Sequence, residues 1–172
     1  RGKLPLRDDP TLLQDIVAAA VDTARPLIDR GRHELRVRMP DEPVRMRADA
    51  ARLAQVLANL LNNAAKYSDP GGVIEFGAMH QDGDVAFWVT DNGIGLAPDQ
   101  LQAGFELFHQ VDTSTPRRFG GVGLGLAIVK SNLEAHGSTI SVDSEPGRGS
   151  VFRFSLPLLE KQDPAGRDER RD

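Results

Sequence analysis

Apolar positions first recur along the chain with a helical period. Leu12, Leu13, Ile16, Val17, Ala20, Val21, Ala24 and Leu27 share one face up to Gly31, which predicts an amphipathic helix beginning at Asp8-Asp9-Pro10-Thr11. The period then drops to two: Leu35, Val37 and Met39 alternate with charged residues, as in a half-buried strand that Pro40 and Pro43 break. A second long helix is expected from Asp49 to about Tyr67, stopping at Ser68-Asp69-Pro70-Gly71-Gly72. Two strands near Val73–Met79 and Val85–Thr90 are joined through Asp82-Gly83, a strong hairpin signal. Asp91 to Gly121 is glycine-rich and irregular, and a loop that long in a compact domain is usually functional or disordered. A helix is predicted from Leu124 to His136 with Gly137 as its cap, then a hairpin of Ile140–Val142 and Val151–Leu156. The order α-β-β-α-β-β-loop-α-β-β predicts helices packed on one face of a mostly antiparallel sheet.

Composition narrows the function. With 172 residues, 40 % hydrophobic and 27 % charged, one domain with a sizeable core is expected. The net charge of −4 argues against nucleic acid as the partner. The chain has no cysteine, which excludes disulfides and thiolate zinc sites. No signal peptide or membrane-length apolar run is visible. The charged, core-free stretch 160–172 reads as a tail or linker.

Candidate chemistry gathers at three places. On the second helix Asn59, Asn63 and Lys66 fall at i, i+4 and i+7 and share a narrow polar face flanked by Tyr67. Mg²⁺ prefers hard oxygen ligands, and an Asn amide oxygen can serve without adding charge beside a triphosphate. Lys66 could neutralise phosphate and Tyr67 could offer a ring to a base, although a solvated helix face explains the stripe equally well. Asp91-Asn92-Gly93-Ile94-Gly95 lies where a strand runs out. Asp91 there suits an exocyclic amine, and glycine permits close approach to a ring, but a plain Asp-Asn-Gly turn accounts for the same residues. Gly120-Gly121-Val122-Gly123-Leu124-Gly125-Leu126 leads into a helix, where free backbone N–H groups can cradle phosphate. A Walker loop is excluded because no Gly-Lys-Ser/Thr follows. A dinucleotide fingerprint is excluded because Leu126 stands where a third glycine is needed.

Taken together, these segments resemble the sensor histidine kinases. Residues 59–68 resemble their N box, Asp91–Gly95 their first glycine box, Phe105-Glu106-Leu107-Phe108-His109-Gln110 their F box, and Gly121–Leu126 their second glycine box. Gly147-Arg148-Gly149-Ser150-Val151-Phe152 is similar to their closing strand motif. The resemblance covers about Leu12 to Leu158, in the family's order and spacing. It implies the Bergerat fold, a two-layer α/β sandwich shared with gyrase-type ATPases, and ATP and Mg²⁺ as cofactors. It also implies roles. Asn63 would be the Mg²⁺ ligand and Asn59 a phosphate or metal-shell contact; Lys66 would meet phosphate and Tyr67 would line the site. Asp91 would bond the adenine amine, with Gly93 and Gly95 admitting the base and Ser150 reaching it directly or through water. Gly121, Gly123 and Gly125 would hinge an ATP lid spanning about 92–121 and present N–H groups to phosphates, with Leu124 and Leu126 also in the ATP site. Phe105 and Phe108 would anchor that lid, and Arg118 or Arg117 would clamp the γ-phosphate.

The resemblance further implies a domain plan and a partner. Residues 1–8 would end a linker from a dimerisation and phosphoacceptor domain, and 9–159 would be the catalytic domain. The phosphoryl acceptor would be a histidine on that other domain, with a response regulator downstream. The isolated piece would be monomeric, and the whole kinase a cytoplasmic homodimer with optional inner-membrane attachment. The alternative is a gyrase-type ATPase or a nucleotide-gated interaction module. Hydrolysis needs a base to orient water. Where those ATPases carry Glu one turn before the metal-binding Asn, this chain has Asn59, which cannot accept a proton. His33-Glu34-Leu35-Arg36 imitates the start of the acceptor motif, but Val37-Arg38-Met39-Pro40 follows with strand alternation, so His33 is read as a strand residue.

Overall fold

The computed structural model describes residues 6–95, 98–99, 102 and 116–158. The leading segment forms a short strand, β1 (Asp9–Leu12), not the predicted helix start. Pro10 biases the residue before it toward extended backbone, and β1 pairs antiparallel with β3 (Arg45–Ala48). Helix α1 (Leu13–Arg30) therefore starts later, with an extended Leu12 before it, and Val44 O accepts the first N–H at 2.8 Å. Its end differs too. Gly31 keeps a helical φ of −85° and Arg32 takes the left-handed position at φ 55°. The absence of a Cβ at Gly31 makes room for the His33 ring, which any side chain there would strike. His33 lies one residue before β2 (Glu34–Arg38), outside the strand in which it was expected.

Helix α2 (Ala50–Lys66) is capped by Asp49, whose Oδ1 accepts from Arg52 N at 3.2 Å. Its apolar face, Leu53, Val56, Leu57, Leu60 and Leu61, is essentially solvent-free. Truncating one such leucine to alanine costs about 2–5 kcal/mol. The hairpin of β4 (Val73–Gln81) and β5 (Asp84–Asp91) turns through Asp82 and Gly83, both at positive φ as a two-residue hairpin turn requires. Helix α3 (Pro116–Ala135) begins eight positions before the predicted Leu124. The four glycines from 120 to 125 were read as loop because each costs about 1 kcal/mol against alanine in a helix. Packing of Leu126, Val129 and Leu133 in the core outweighs that cost, and the helix runs through them. At its far end Ser138 N bonds Leu133 O and Gly137 N bonds Glu134 O, with Gly137 left-handed at φ 77°.

Strands β6 (Ser141–Glu145) and β7 (Gly149–Pro157) complete a five-stranded sheet of order β2-β4-β5-β7-β6. β2 runs parallel to β4 and every other pairing is antiparallel. One face carries Ile74, Phe76, Val85, Phe87, Val89, Phe152, Phe154 and Leu156, all buried against the helices. On that face the rings of Phe87 and Phe154 stack with centroids 4.7 Å apart. The result is the expected two-layer sandwich, helices on one side of a mostly antiparallel sheet. α2 lies at its centre, flanked by α1 and α3.

Candidate functional site

The register fixes which side chains meet at one end of the sandwich. Asp91 closes β5 directly opposite Ser150 of β7, both on the face that α2 covers. Together with Asn63, Ala64 and Tyr67 of α2, Gly95, Leu126 of α3 and Phe152, they line one pocket. Six residues singled out from the sequence therefore converge: Asn63, Tyr67, Asp91, Gly95, Leu126 and Ser150. Ala64 and Phe152 were not singled out. Alternation along β7 could have found Phe152, since it shares a face with Ser150.

The Asp91 end is tightly built. Asp91 Oδ1 accepts from Gly93 N at 2.8 Å. Burial pushes the Asp91 carboxyl above its ordinary range, and the backbone N–H groups of Gly93 and Ser150 pull it part of the way back. Ile94 N bonds Tyr67 O and Gly147 N bonds Ile94 O, so residues 93–95 are stapled between the end of α2 and the β6–β7 turn. Asn92 Oδ1 accepts from Val73 N at 3.0 Å. The glycines here answer to backbone: a Cβ at Gly93 would strike Tyr67 O, one at Gly95 would strike Glu145 O, and one at Gly149 would strike Asp91 O. Gly95 and Gly149 also hold φ of 73° and 100°.

The α2 end is different. Asn59 Nδ2, Asn62 Oδ1 and Asn63 Nδ2 are buried without a hydrogen-bond partner among the described residues. A Cβ placed on Gly125 would lie 3.5 Å from Asn63 Nδ2, so α3 passes directly over that amide. Lys66 is exposed in the last turn of α2 and is not among the pocket-lining residues. Gly121, Gly123 and Leu124 belong to α3, inside the helix rather than at its N-terminal edge, and Arg117 and Arg118 fall in its first turn. Phe105 and Phe108 lie outside the described residues, as does most of the proposed lid.

Among the described residues no group of three or more His, Cys, Asp or Glu could hold a metal ion. A metal here would need an oxygen shell supplied largely by its ligand, to which Asn59 and Asn63 could add amide oxygens; their buried Nδ2 atoms, without a partner among the described residues, are donors suited to phosphate oxygens. Among the described residues no helix is long and apolar enough to cross a membrane.

Residues 48–160 match the model of the histidine kinase-, DNA gyrase B- and HSP90-like ATPases. The chain belongs to that family. It is 36 % identical over 169 residues to the circadian input-output histidine kinase CikA of Synechococcus elongatus, covering 95 % of this chain and 22 % of that protein. The solved mycobacterial sensor histidine kinase MprB superposes with a TM-score of 0.71 at 29 % identity, over 88 % of this chain and 97 % of that one. Full-length ShkA, solved in complex with AMPPNP, superposes with a TM-score of 0.72 at 32 % identity, over 91 % of this chain and 32 % of that one. Within the family this is a histidine-kinase catalytic domain. It spans about a fifth of the length of the curated relative CikA.

Proposed function

We propose that the domain binds Mg²⁺–ATP between α2, α3 and the ends of β5 and β7, and donates the γ-phosphate to a histidine on a separate dimerisation and phosphoacceptor domain. The observation that carries this reading is the pairing in one pocket of a half-buried carboxylate, Asp91, with Asn63, whose Nδ2 is buried without a partner among the described residues, as is that of Asn59 one turn before it on α2. Asp91 accepts from the adenine amine at the end of the pocket that Gly95 also lines. Tyr67 and Phe152 supply apolar walls. Asn63 offers its amide oxygen to Mg²⁺ and Asn59 contacts phosphate or a metal-bound water. The ion, when bound, neutralises phosphate charge and orients the transferred group. That ShkA was solved with an ATP analogue supports the nucleotide assignment.

Transfer to a partner histidine is favoured over hydrolysis because Asn59 cannot act as the base that water attack requires. The chain's own His33 is a poor acceptor: its Nε2 bonds Ala65 O at 3.0 Å and its Nδ1 is buried. In the whole kinase, a homodimer, the phosphoryl group would pass onward to a response regulator.

The test is incubation with γ-labelled Mg–ATP, with and without an added dimerisation and phosphoacceptor domain. Acid-labile label is expected on the added domain alone. Stoichiometric label on His33, or steady phosphate release by the domain alone, would overturn the reading.

A further inference from the structure

Beside the pocket, on the edge strand, stands a hydroxyl that the reading above does not use. Ser144 of β6 lies directly opposite Ser150 in the β6–β7 register. Their Oγ atoms are 2.7 Å apart, and Ser144 Oγ also donates to Gly149 O at 3.3 Å. Each serine hydroxyl has one proton to give. With the Ser144 proton on Gly149 O, the arrangement that satisfies both contacts has Ser150 donating across the 2.7 Å. Ser150 is buried, 5 % exposed, and its proton is thereby aimed at β6. What Ser150 can offer the pocket is oxygen lone pairs. Its neighbour across the β5–β7 pairing is Asp91, which when ionised is also acceptor-only.

We infer that Ser144 is a positioning residue for base selection: by taking the Ser150 proton it makes Ser150 a second acceptor beside Asp91, so the wall favours a ring edge bearing an amino group. An exocyclic amine has two N–H bonds, one for each acceptor. A base lacking the amine leaves both acceptors facing a group that cannot donate, and desolvated acceptors without partners are penalised. This inference rests on the Mg²⁺–ATP reading of the pocket and adds to it the reason for adenine.

The experiment is calorimetric titration of the full chain with Mg²⁺–ATP and with the Mg²⁺ complex of purine riboside triphosphate, the same nucleotide without its 6-amino group. The wild type should prefer ATP. Ser144→Ala should lower the ATP preference about threefold to tenfold, with the affinity for the amine-free nucleotide unchanged. Ser144→Thr keeps the hydroxyl and should keep the preference, whereas Ser144→Val, isosteric with threonine and suited to an edge strand, should lose it. The Thr and Val pair stands in if the alanine variant misfolds. A purely structural role for Ser144 would weaken both nucleotides equally, and that result overturns the inference, as does an unchanged ratio in the Ala and Val variants. A wild type that binds neither nucleotide overturns the Mg²⁺–ATP reading and this inference with it. A wild type that prefers ATP alongside variants that also do overturns only the Ser144 relay.

Discussion

The two ends of the pocket are built on opposite principles. At the Asp91 end most groups are satisfied within the protein: Asp91 by Gly93 N, Asn92 by Val73 N, Ser150 by Ser144, and Ile94 between Tyr67 and Gly147, with the buried Ser68 Oγ beside Gly93 the exception. Its glycines sit where backbone approaches too closely for any side chain. At the α2 end one amide atom each of Asn59, Asn62 and Asn63 is buried without a partner among the described residues, and Gly125, which lies over Asn63, has room for a methyl group. Under the proposed function, this divides the labour. The end that reads the base is assembled in advance, so it loses little entropy on binding. The end that meets phosphate and metal holds polar groups whose hydrogen-bonding capacity only a ligand completes.

The largest effect should come from breaking the prebuilt end. Gly95→Ala would force a left-handed φ on a residue with a Cβ and drive that Cβ into Glu145 O. A loss of about 3 kcal/mol or more is expected, read as a collapse of the denaturation midpoint together with ATP binding. A stable, ATP-binding Gly95→Ala protein would show that the staple is not what shapes this end.

Next in size is the amide end. Asn63→Ala removes a half-buried side chain at the pocket wall and leaves the apolar face of α2 intact, so the fold should persist. ATP affinity at saturating Mg²⁺ should fall about tenfold to a hundredfold, as for hydrogen bonds to charged groups, while affinity in the presence of a chelator barely moves. Equal losses with and without Mg²⁺ would assign Asn63 to the nucleotide rather than the metal.

Asp91→Asn probes the cost of prebuilding. Burial holds the carboxyl above its ordinary range, so the folded protein binds more protons than the unfolded chain between the ordinary and the raised value. Stability therefore declines as pH rises through that window, and the cost is fully present above it. The asparagine variant should be the more stable protein at neutral pH, with the gap closing as pH falls through the carboxylate range, and should bind ATP less tightly. Parallel stability curves for the two proteins across that range would remove burial as the dominant influence on Asp91.

Much of this contrast was legible in the sequence, for reasons that differ by residue. Alternation predicted the bodies of β5 and β7 but stopped one residue short of Asp91 and Ser150, which the family resemblance joined and the register pairs. The helical period brought Asn59 and Asn63 to one face. β1 was hidden because an acidic, proline-containing start before an apolar run is also how helices begin, and only pairing with β3 distinguishes the two. The start of α3 was hidden because glycine propensity is a local signal, while the packing that carries the helix through Gly120–Gly125 is tertiary. Ser144 was hidden more deeply. A serine in an alternating edge strand looks like any solvated position, and its contact with Ser150 exists only through the β6–β7 register.

The smallest predicted effect separates the two ends most cleanly. Gly95 and Gly125 are both glycines lining or covering the pocket, yet the same substitution should act in opposite directions. A methyl on Gly125 meets Asn63 Nδ2 at 3.5 Å and Oδ1 at 3.8 Å, ordinary contact distances, in a residue with helical neighbours on both sides. Helix propensity then decides the sign, and Gly125→Ala should gain about 0.8–1 kcal/mol. For a domain of this size that is a rise of about 2–4 °C in Tm. The same methyl lies over the amide that is proposed to meet Mg²⁺ and phosphate, so ATP affinity should drop while Tm climbs. A higher Tm with unchanged affinity would mean that the ligand approaches Asn63 from a side α3 does not cover. A lower Tm would mean that Gly125, like Gly95, is held by close packing, and that the contrast between the two ends is smaller than their hydrogen bonds indicate.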